Sequence, residues 1–365
     1  IRLHQAIREV WGEGDVPIAR LTPLGWTCMG MLKEQLSGTT THFNTFLSTN
    51  MEIEETLRRF WEIEEIENPM NDESDKKLFI EQARTNLKYQ NFRYQAKLPF
   101  KQRTQEIPET RRLSEKRGVL LEQRLKKDED LRIAYEKIIN EYLRKGYIRC
   151  IPENEMKDVK WWLPHFPIVK KEKETTKVRI VFDAAAKTQG TCLNDLLEAG
   201  PKLQNDLLEV LLKFRKYSIA LVSDIQEMYL QISISEHDGK YLCFQHTCEG
   251  KREYYQFQRL VFGLNVSPFL AQLVTHTNAD KYVREFPEAV DIIKNSTYMD
   301  DAMFSVENLV EAKKRKDELI KIWKAAGMKA TKWMTNNKEI LKTIPEEERS
   351  KMLNLEDKEC CHVKA

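Results

Sequence analysis

The chain has 365 residues, 41% of them hydrophobic and 32% charged, with a net charge of +2 at pH 7. That length allows two or three domains or lobes with buried cores. No run approaches the roughly 18 apolar residues that a membrane span needs, and no signal-like hydrophobic segment follows Ile1, so the chain reads as a piece of something longer.

Residues 1–37 are short and β-like, punctuated by Gly25 and Gly30. Residues 38–83 read as a linker with an acidic amphipathic helix. The polar Ser37-Gly38-Thr39-Thr40-Thr41 opens it, and Leu57, Phe60, Trp61, Ile63 and Ile66 supply the apolar side of the helix. Charge then changes sign. Glu52 to Asp75 holds ten acids and two bases, whereas Arg84 to Lys127 holds thirteen bases and four acids. The basic block suits a polyanion or a solvated helix surface.

Leu113 to Leu143 carries a helical pattern in which Leu131, Tyr135, Ile138, Ile139 and Tyr142 recur at helical spacing, and Gly146 is the stop. Trp161–Val169 and Lys177–Phe182 predict a β-hairpin around the charged Lys170-Lys171-Glu172-Lys173-Glu174. Asn205 is positioned to cap a helix through Leu207, Leu208, Leu211 and Leu212. Tyr217 to Ser223 reads as a buried strand ending in Asp224. Ser267-Pro268 opens another apolar helix, and Asn308 caps one that ends at Gly327. Strands and helices interleave irregularly, as in an α+β protein.

Between the last two helices lies Ser296-Thr297-Tyr298-Met299-Asp300-Asp301-Ala302-Met303-Phe304-Ser305-Val306. Apolar β-formers flank an acidic pair, which predicts a β-hairpin with its carboxylates at the tip. Adjacent carboxylates raise each other's pKa unless a cation holds them. Mg²⁺ takes one or two carboxylates and leaves room for substrate oxygens, the core of a two-metal nucleotidyl-transfer site. Such a site needs a third carboxylate from another strand. Asp224 is the candidate, with a helix N-cap as its alternative role. Arg179, with Lys170 or Lys171, would face a triphosphate; the alternatives are a surface salt bridge and a solvated turn.

The seven cysteines (Cys28, Cys150, Cys192, Cys243, Cys248, Cys360 and Cys361) include no C-x-x-C pair. An odd, scattered set indicates a reducing compartment rather than a disulfide framework. Cys360-Cys361-His362 lacks the spacing of a zinc site.

Several segments occur together in order: Lys177-Val178-Arg179-Ile180-Val181-Phe182-Asp183-Ala184, Leu193-Asn194-Asp195-Leu196-Leu197, Asp224-Ile225-Gln226-Glu227-Met228-Tyr229, Phe262-Gly263-Leu264-Asn265-Val266-Ser267-Pro268 and Tyr298-Met299-Asp300-Asp301. Together they resemble the reverse transcriptase of BEL/Pao-type LTR retrotransposons over roughly residues 58–345. The segment around Leu24-Gly25-Trp26 is similar to the end of the aspartic protease that precedes it in such polyproteins.

The resemblance implies an α+β right-hand polymerase fold, with fingers plus a ferredoxin-like palm over 84–335. Residues 336–365 would begin a thumb or connection that is largely missing. It implies two Mg²⁺ ions (Mn²⁺ possible) on Asp224 and Asp300, with Asp301 as the supporting acid. Arg179, Lys170, Lys171, Tyr229, Phe262 and Gly263 would bind the dNTP, Tyr229 as a gate against the ribose 2′-hydroxyl or, alternatively, as a core tyrosine. Tyr298 and Met299 would meet primer or template, and Lys332 would act as general acid. The implied partners are an RNA or DNA template with its primer, dNTPs, and the protease, ribonuclease H and integrase modules, with no membrane. The implied location is a cytoplasmic virus-like particle whose product reaches the nucleus. Two other readings stand beside this one. One is a catalytically inactive or domesticated remnant that binds nucleic acid. The other is a protease module, which the lack of Asp-Thr-Gly or Asp-Ser-Gly opposes.

Overall fold

The computed structural model describes residues 8–10, 18–22, 25–29, 73–101, 107–171, 176–248 and 251–350. The chain divides into two units, residues 1–66 and 67–365. In the first, β1 (Arg8–Val10), β2 (Ile18–Thr22) and β3 (Gly25–Met29) form an antiparallel sheet in chain order, in keeping with the β-like reading. The linker from Ser37 to Asn50, the acidic helix expected after it and the Cys360-Cys361-His362 tail lie outside the described residues.

The second unit opens with α1 (Glu73–Thr85), β4 (Lys88–Gln90) and β5 (Arg93–Ala96). The helical pattern expected over Leu113–Leu143 is two helices, α2 (Arg111–Lys127) and α3 (Glu129–Arg144). Asp128 separates them. Its backbone is extended, and its carboxylate accepts a hydrogen bond from the Leu131 N–H at 3.0 Å, an N-cap that restarts the helix. Ser114, Leu121 and Leu125 of α2 and Leu131, Tyr135 and Ile139 of α3 turn inward. Gly146, at φ +65°, follows as the expected stop.

After β6 (Ile148–Cys150), strands β7 (His165–Lys171) and β8 (Thr176–Phe182) make the predicted hairpin, paired from His165↔Phe182 to Lys171↔Thr176. It begins later than expected, because Trp161 and Leu163 are buried in irregular chain ahead of it. Helix α4 (Leu207–Phe214) is capped by Asp206, not Asn205. Asp206 accepts from the Glu209 N–H at 3.0 Å, while the Asn205 amide donates to the carbonyls of Lys294 and Thr297.

Strand β9 (Ile219–Ile225) enters the central sheet. Then come β10 (Ser233–Ile234), β11 (Cys243–Cys248), β12 (Lys251–Phe257), α5 (Ser267–Asp280) and α6 (Pro287–Asn295). The hairpin β13 (Thr297–Tyr298) and β14 (Asp301–Val306), helix α7 (Leu309–Ala325) and β15 (Ala330–Thr335) complete the sheet. Its order is β13-β14-β9-β15, antiparallel throughout. Read as β9, α5, β13–β14, α7, β15, this is the ferredoxin-like β-α-β-β-α-β arrangement. The fold is α+β, as expected. Asn308 caps α7 through the Glu311 N–H.

Alternation along the strands decides which face is closed. Ile219, Leu221 and Ile225 of β9 and Ala302, Phe304 and Val306 of β14 are buried, and α7 brings Leu319, Ile322 and Trp323 into the same core. Asp224 and Asp301 belong to the other set of positions, on the more open face. No helix among the described residues is long and apolar enough to cross a membrane.

Candidate active site

The acids of the Tyr298-Met299-Asp300-Asp301 segment occupy a hairpin, as the alternation predicts. Tyr298 pairs with Asp301, so Met299 and Asp300 are the connecting residues. Met299 has φ +55°, a left-handed backbone that glycine adopts more readily. Two bonds hold this strained turn. The Gln272 side chain donates to the Met299 carbonyl at 2.9 Å, and the Ile225 N–H donates to the Asp300 carbonyl at 2.8 Å.

Asp224 stands inside β9, one residue before its end, and pairs directly with Asp301 on β14. The N-cap role considered for it does not hold: the next helical turn, Met228–Gln231, has Glu227 at its cap position. Directly paired residues project to the same face of a sheet. Asp224 and Asp301 therefore share the open face, and Asp300 sits at its rim.

Lys332 reaches this cluster from the opposite flank. The pairing of β15 with β9 slips between Thr331 and Met334, and Lys332 takes φ +51°. A bulge of this kind re-aims a side chain. Here Lys332 Nζ donates to Asp224 Oδ2 at 2.6 Å. Burial pushes the Asp300 carboxyl above its ordinary pKa, and the Asp224 charge adds to the rise, while Lys332 and Arg179 oppose it. Asp301 is raised by burial and then by Asp300 and Asp224.

Among the described residues no group of three or more His, Cys, Asp or Glu side chains is gathered tightly enough to hold a metal ion. The donor chemistry nevertheless fits a hard divalent cation, since all three candidates are carboxylates. Their electrostatics fit too. One ammonium is bonded to Asp224, while Asp300 and Asp301 are raised by burial and by neighbouring carboxylate charge that further positive charge would relieve.

Beside the acids is a cavity of about 230 Å³, with Tyr229, Phe262, Gln272, Met299 and Asp300 in its wall. The Tyr229 and Phe262 rings lie 4.6 Å apart at 50°. Burial, and then the Asp300 charge, raises the Tyr229 hydroxyl well above its ordinary pKa, so it remains protonated. Gly263 serves packing. At φ +100°, a Cβ there would lie 2.2 Å from the Phe182 carbonyl oxygen, so the loop approaches β8 only without a side chain. Asn194 clamps the same loop, donating to the Gly263 carbonyl and accepting from the Asn265 N–H.

Arg179 is exposed on β8 opposite Ile168, and its charge reaches Asp300. Lys170 and Lys171 pair with Lys177 and Thr176 beside the hairpin loop, but their side chains fall outside the described residues. Thus Asp224, Asp300, Asp301, Tyr229, Phe262, Met299 and Lys332 come together, with Arg179 within electrostatic reach. Gln272 was not anticipated. Its one signal is an amide inside the apolar run Leu270-Ala271-Gln272-Leu273-Val274.

Residues 169–335 match the family described as reverse transcriptase (RNA-dependent DNA polymerase). This segment, from the end of β7 through β15, is similar to reverse transcriptase domains. The activity class of that family is nucleotidyl transfer, as an RNA-directed DNA polymerase. The family implies a nucleic-acid template with primer, and dNTPs, and its members generally use Mg²⁺. No curated protein matches the chain.

Proposed function

We propose that this chain is the polymerase part of a BEL/Pao-type retrotransposon polyprotein, and that it adds dNTPs to a primer 3′-hydroxyl at the Asp224–Asp300–Asp301 cluster. One observation carries the reading. Asp224 and Asp301 are cross-strand partners, and Asp300, at the turn beside them, walls the cavity shared by Tyr229 and Phe262. Asp224 and Asp300, supported by Asp301, would hold Mg²⁺, which supplies Lewis acidity for the attacking hydroxyl and charge neutralisation for the leaving pyrophosphate.

The protein's own groups do the remainder. Arg179, with Lys170 or Lys171, binds the triphosphate and orients it. The Tyr229 ring, fixed against Phe262, crowds the sugar's 2′ position, so a ribonucleotide clashes where a deoxyribonucleotide fits. Lys332 holds a proton on Nζ beside Asp224, available to the departing pyrophosphate. Phe262 and Met299 shape the floor under the nucleotide and the primer end, and Tyr298 meets the primer–template duplex. Bases are chosen by pairing with the template, so the protein contacts backbone and shape. In this reading residues 1–37 end a retropepsin-like protease and 336–365 begin a thumb. Ribonuclease H and integrase are partner modules, and the setting is a cytoplasmic particle.

The test is extension of a DNA primer on an RNA template with Mg²⁺ and dNTPs, beside Asp300→Asn. Extension that vanishes in the variant supports the proposal. Silence from both proteins, persisting with the downstream polyprotein attached, overturns it in favour of an inactive nucleic-acid-binding remnant. Tyr229→Ala adds an independent reading: ribonucleotide incorporation should rise relative to deoxyribonucleotide.

A further inference from the structure

Helix α2 (Arg111–Lys127) lies outside the family-matched segment and belongs to the basic block from Arg84 to Lys127. Its inner side is fixed. Ser114, Leu121 and Leu125 are buried, Ser114 Oγ donates to the Leu163 carbonyl, and Arg117 is paired with Asp183, just after β8. Its acids are occupied as well, Glu115 by Arg111 and Arg252 and Glu122 by Lys126.

The outer side differs in kind. Arg112, Lys116, Val119, Leu120, Gln123, Arg124 and Lys127 recur at helical spacing, all of them exposed, and none is acidic. Lys116, Arg124 and Lys127 make no ion pair among the described residues. Arg112 is 90% exposed and meets Glu109 only at 3.9 Å. Cations from Arg112 to Lys127 extend along about 22 Å of helix at 1.5 Å per residue. Leu120, 64% exposed, adds an apolar side chain in the middle of the stripe, between the charges.

Five of the block's other bases have partners inside the protein: Arg84 with Asp280, Arg93 with Gln231, Arg111 with Glu115, Arg117 with Asp183 and Lys126 with Glu122. On α2, free positive charge is thereby confined to the outer face, while Lys88, Lys97 and Lys101 of the block are exposed elsewhere. That helix also packs against β7 of the hairpin that carries Arg179.

We infer that the outer face of α2 binds the sugar-phosphate backbone of the uncopied template strand. The inference rests on the polymerase reading above. A template base that pairs with a nucleotide held between Arg179 and Asp300 must pass the β7–β8 hairpin. The strand still to be copied therefore lies on the lobe that α2 covers. A cationic stripe without acids recognises phosphates without regard to sequence.

The experiment uses the whole chain and a variant carrying Arg112→Gln, Lys116→Gln, Arg124→Gln and Lys127→Gln. Glutamine keeps helix propensity, and circular dichroism checks the fold. Fluorescence anisotropy measures binding to primer–template with a template overhang of either one nucleotide or about eight, the latter matching the stripe at ~3.4 Å per nucleotide. The native chain should bind the long overhang roughly tenfold more tightly than the short one, and the variant should lose that difference. Its slope of log affinity against log salt on the long overhang should fall by roughly 2–3, at ~0.7 per phosphate contact. An unchanged overhang preference and salt slope in the folded variant overturn the inference. Primer extension in the same samples separates the two proposals. Absence of Asp300-dependent extension counts against the polymerase, whereas normal extension with unchanged overhang binding counts only against α2.

Discussion

The two faces of the β13-β14-β9-β15 sheet are built from the same strands and do opposite work. On β9, Leu221 and Ile225 are fully buried, while Asp224, next to Ile225, faces the open side. On β14, Ala302 and Phe304 join the core, and Asp301 and Met303 do not. One face gains stability by excluding water. The other keeps carboxylates together at an energetic cost, visible in the raised pKa values of Asp300 and Asp301. A one-residue slip of register would exchange the two sets. The core contacts of Leu221 and Phe304 therefore also fix where the acids stand.

Substitutions can test that division. Asp300→Asn should lower primer extension by on the order of 10²–10³-fold, the scale of losing one electrostatic stabiliser, with no loss of thermal stability; a fall in melting temperature would break the contrast. Leu221→Ala should do the reverse, costing about 2–5 kcal/mol in urea unfolding while activity per folded molecule is kept. Gly263→Ala should cost about 1–3 kcal/mol through backbone strain and collision with the Phe182 carbonyl.

A smaller effect follows from the raised acids. A carboxyl whose pKa is higher folded than unfolded binds its proton more tightly in the folded state. Its contribution favours folding below the unfolded value of about 3.9 and is lost as pH rises through the folded value. In metal-free buffer, Asp301→Asn should therefore stabilise the protein at neutral pH. That gain should fade on acidification, as read from melting temperatures across the pH range. A gain that grows toward acid would contradict the assigned cause.

Much of this was legible in the residues. Period-two alternation around Asp300 and at Ile219–Ile225 was enough to place the hairpin and the buried strand, and ordered motifs brought Tyr229, Phe262 and Arg179 to one region. The misses share a cause. Asn205 and Asp206 are both good caps, and only the distant carbonyls of Lys294 and Thr297 decide between them. The periodicity through Leu113–Leu143 continues across Asp128, although the backbone does not. Asp224 looked like a strand end because its cross-strand partner, Asp301, is 77 positions away (301 minus 224). Gln272 acts on a turn formed much later in the chain, so its amide within an apolar run marks it as unusual without showing what it holds.

Strand β15 lies at the outer edge of its sheet, and its bulge sits beside the Lys332–Asp224 bond. A cation that claims Asp224 must compete with this ammonium. Its arrival would then slacken the bulge, and the amides around Thr331 to Met334 would exchange hydrogen for deuterium faster. The margin of the sheet would thus report, without turnover or label, whether its centre is loaded.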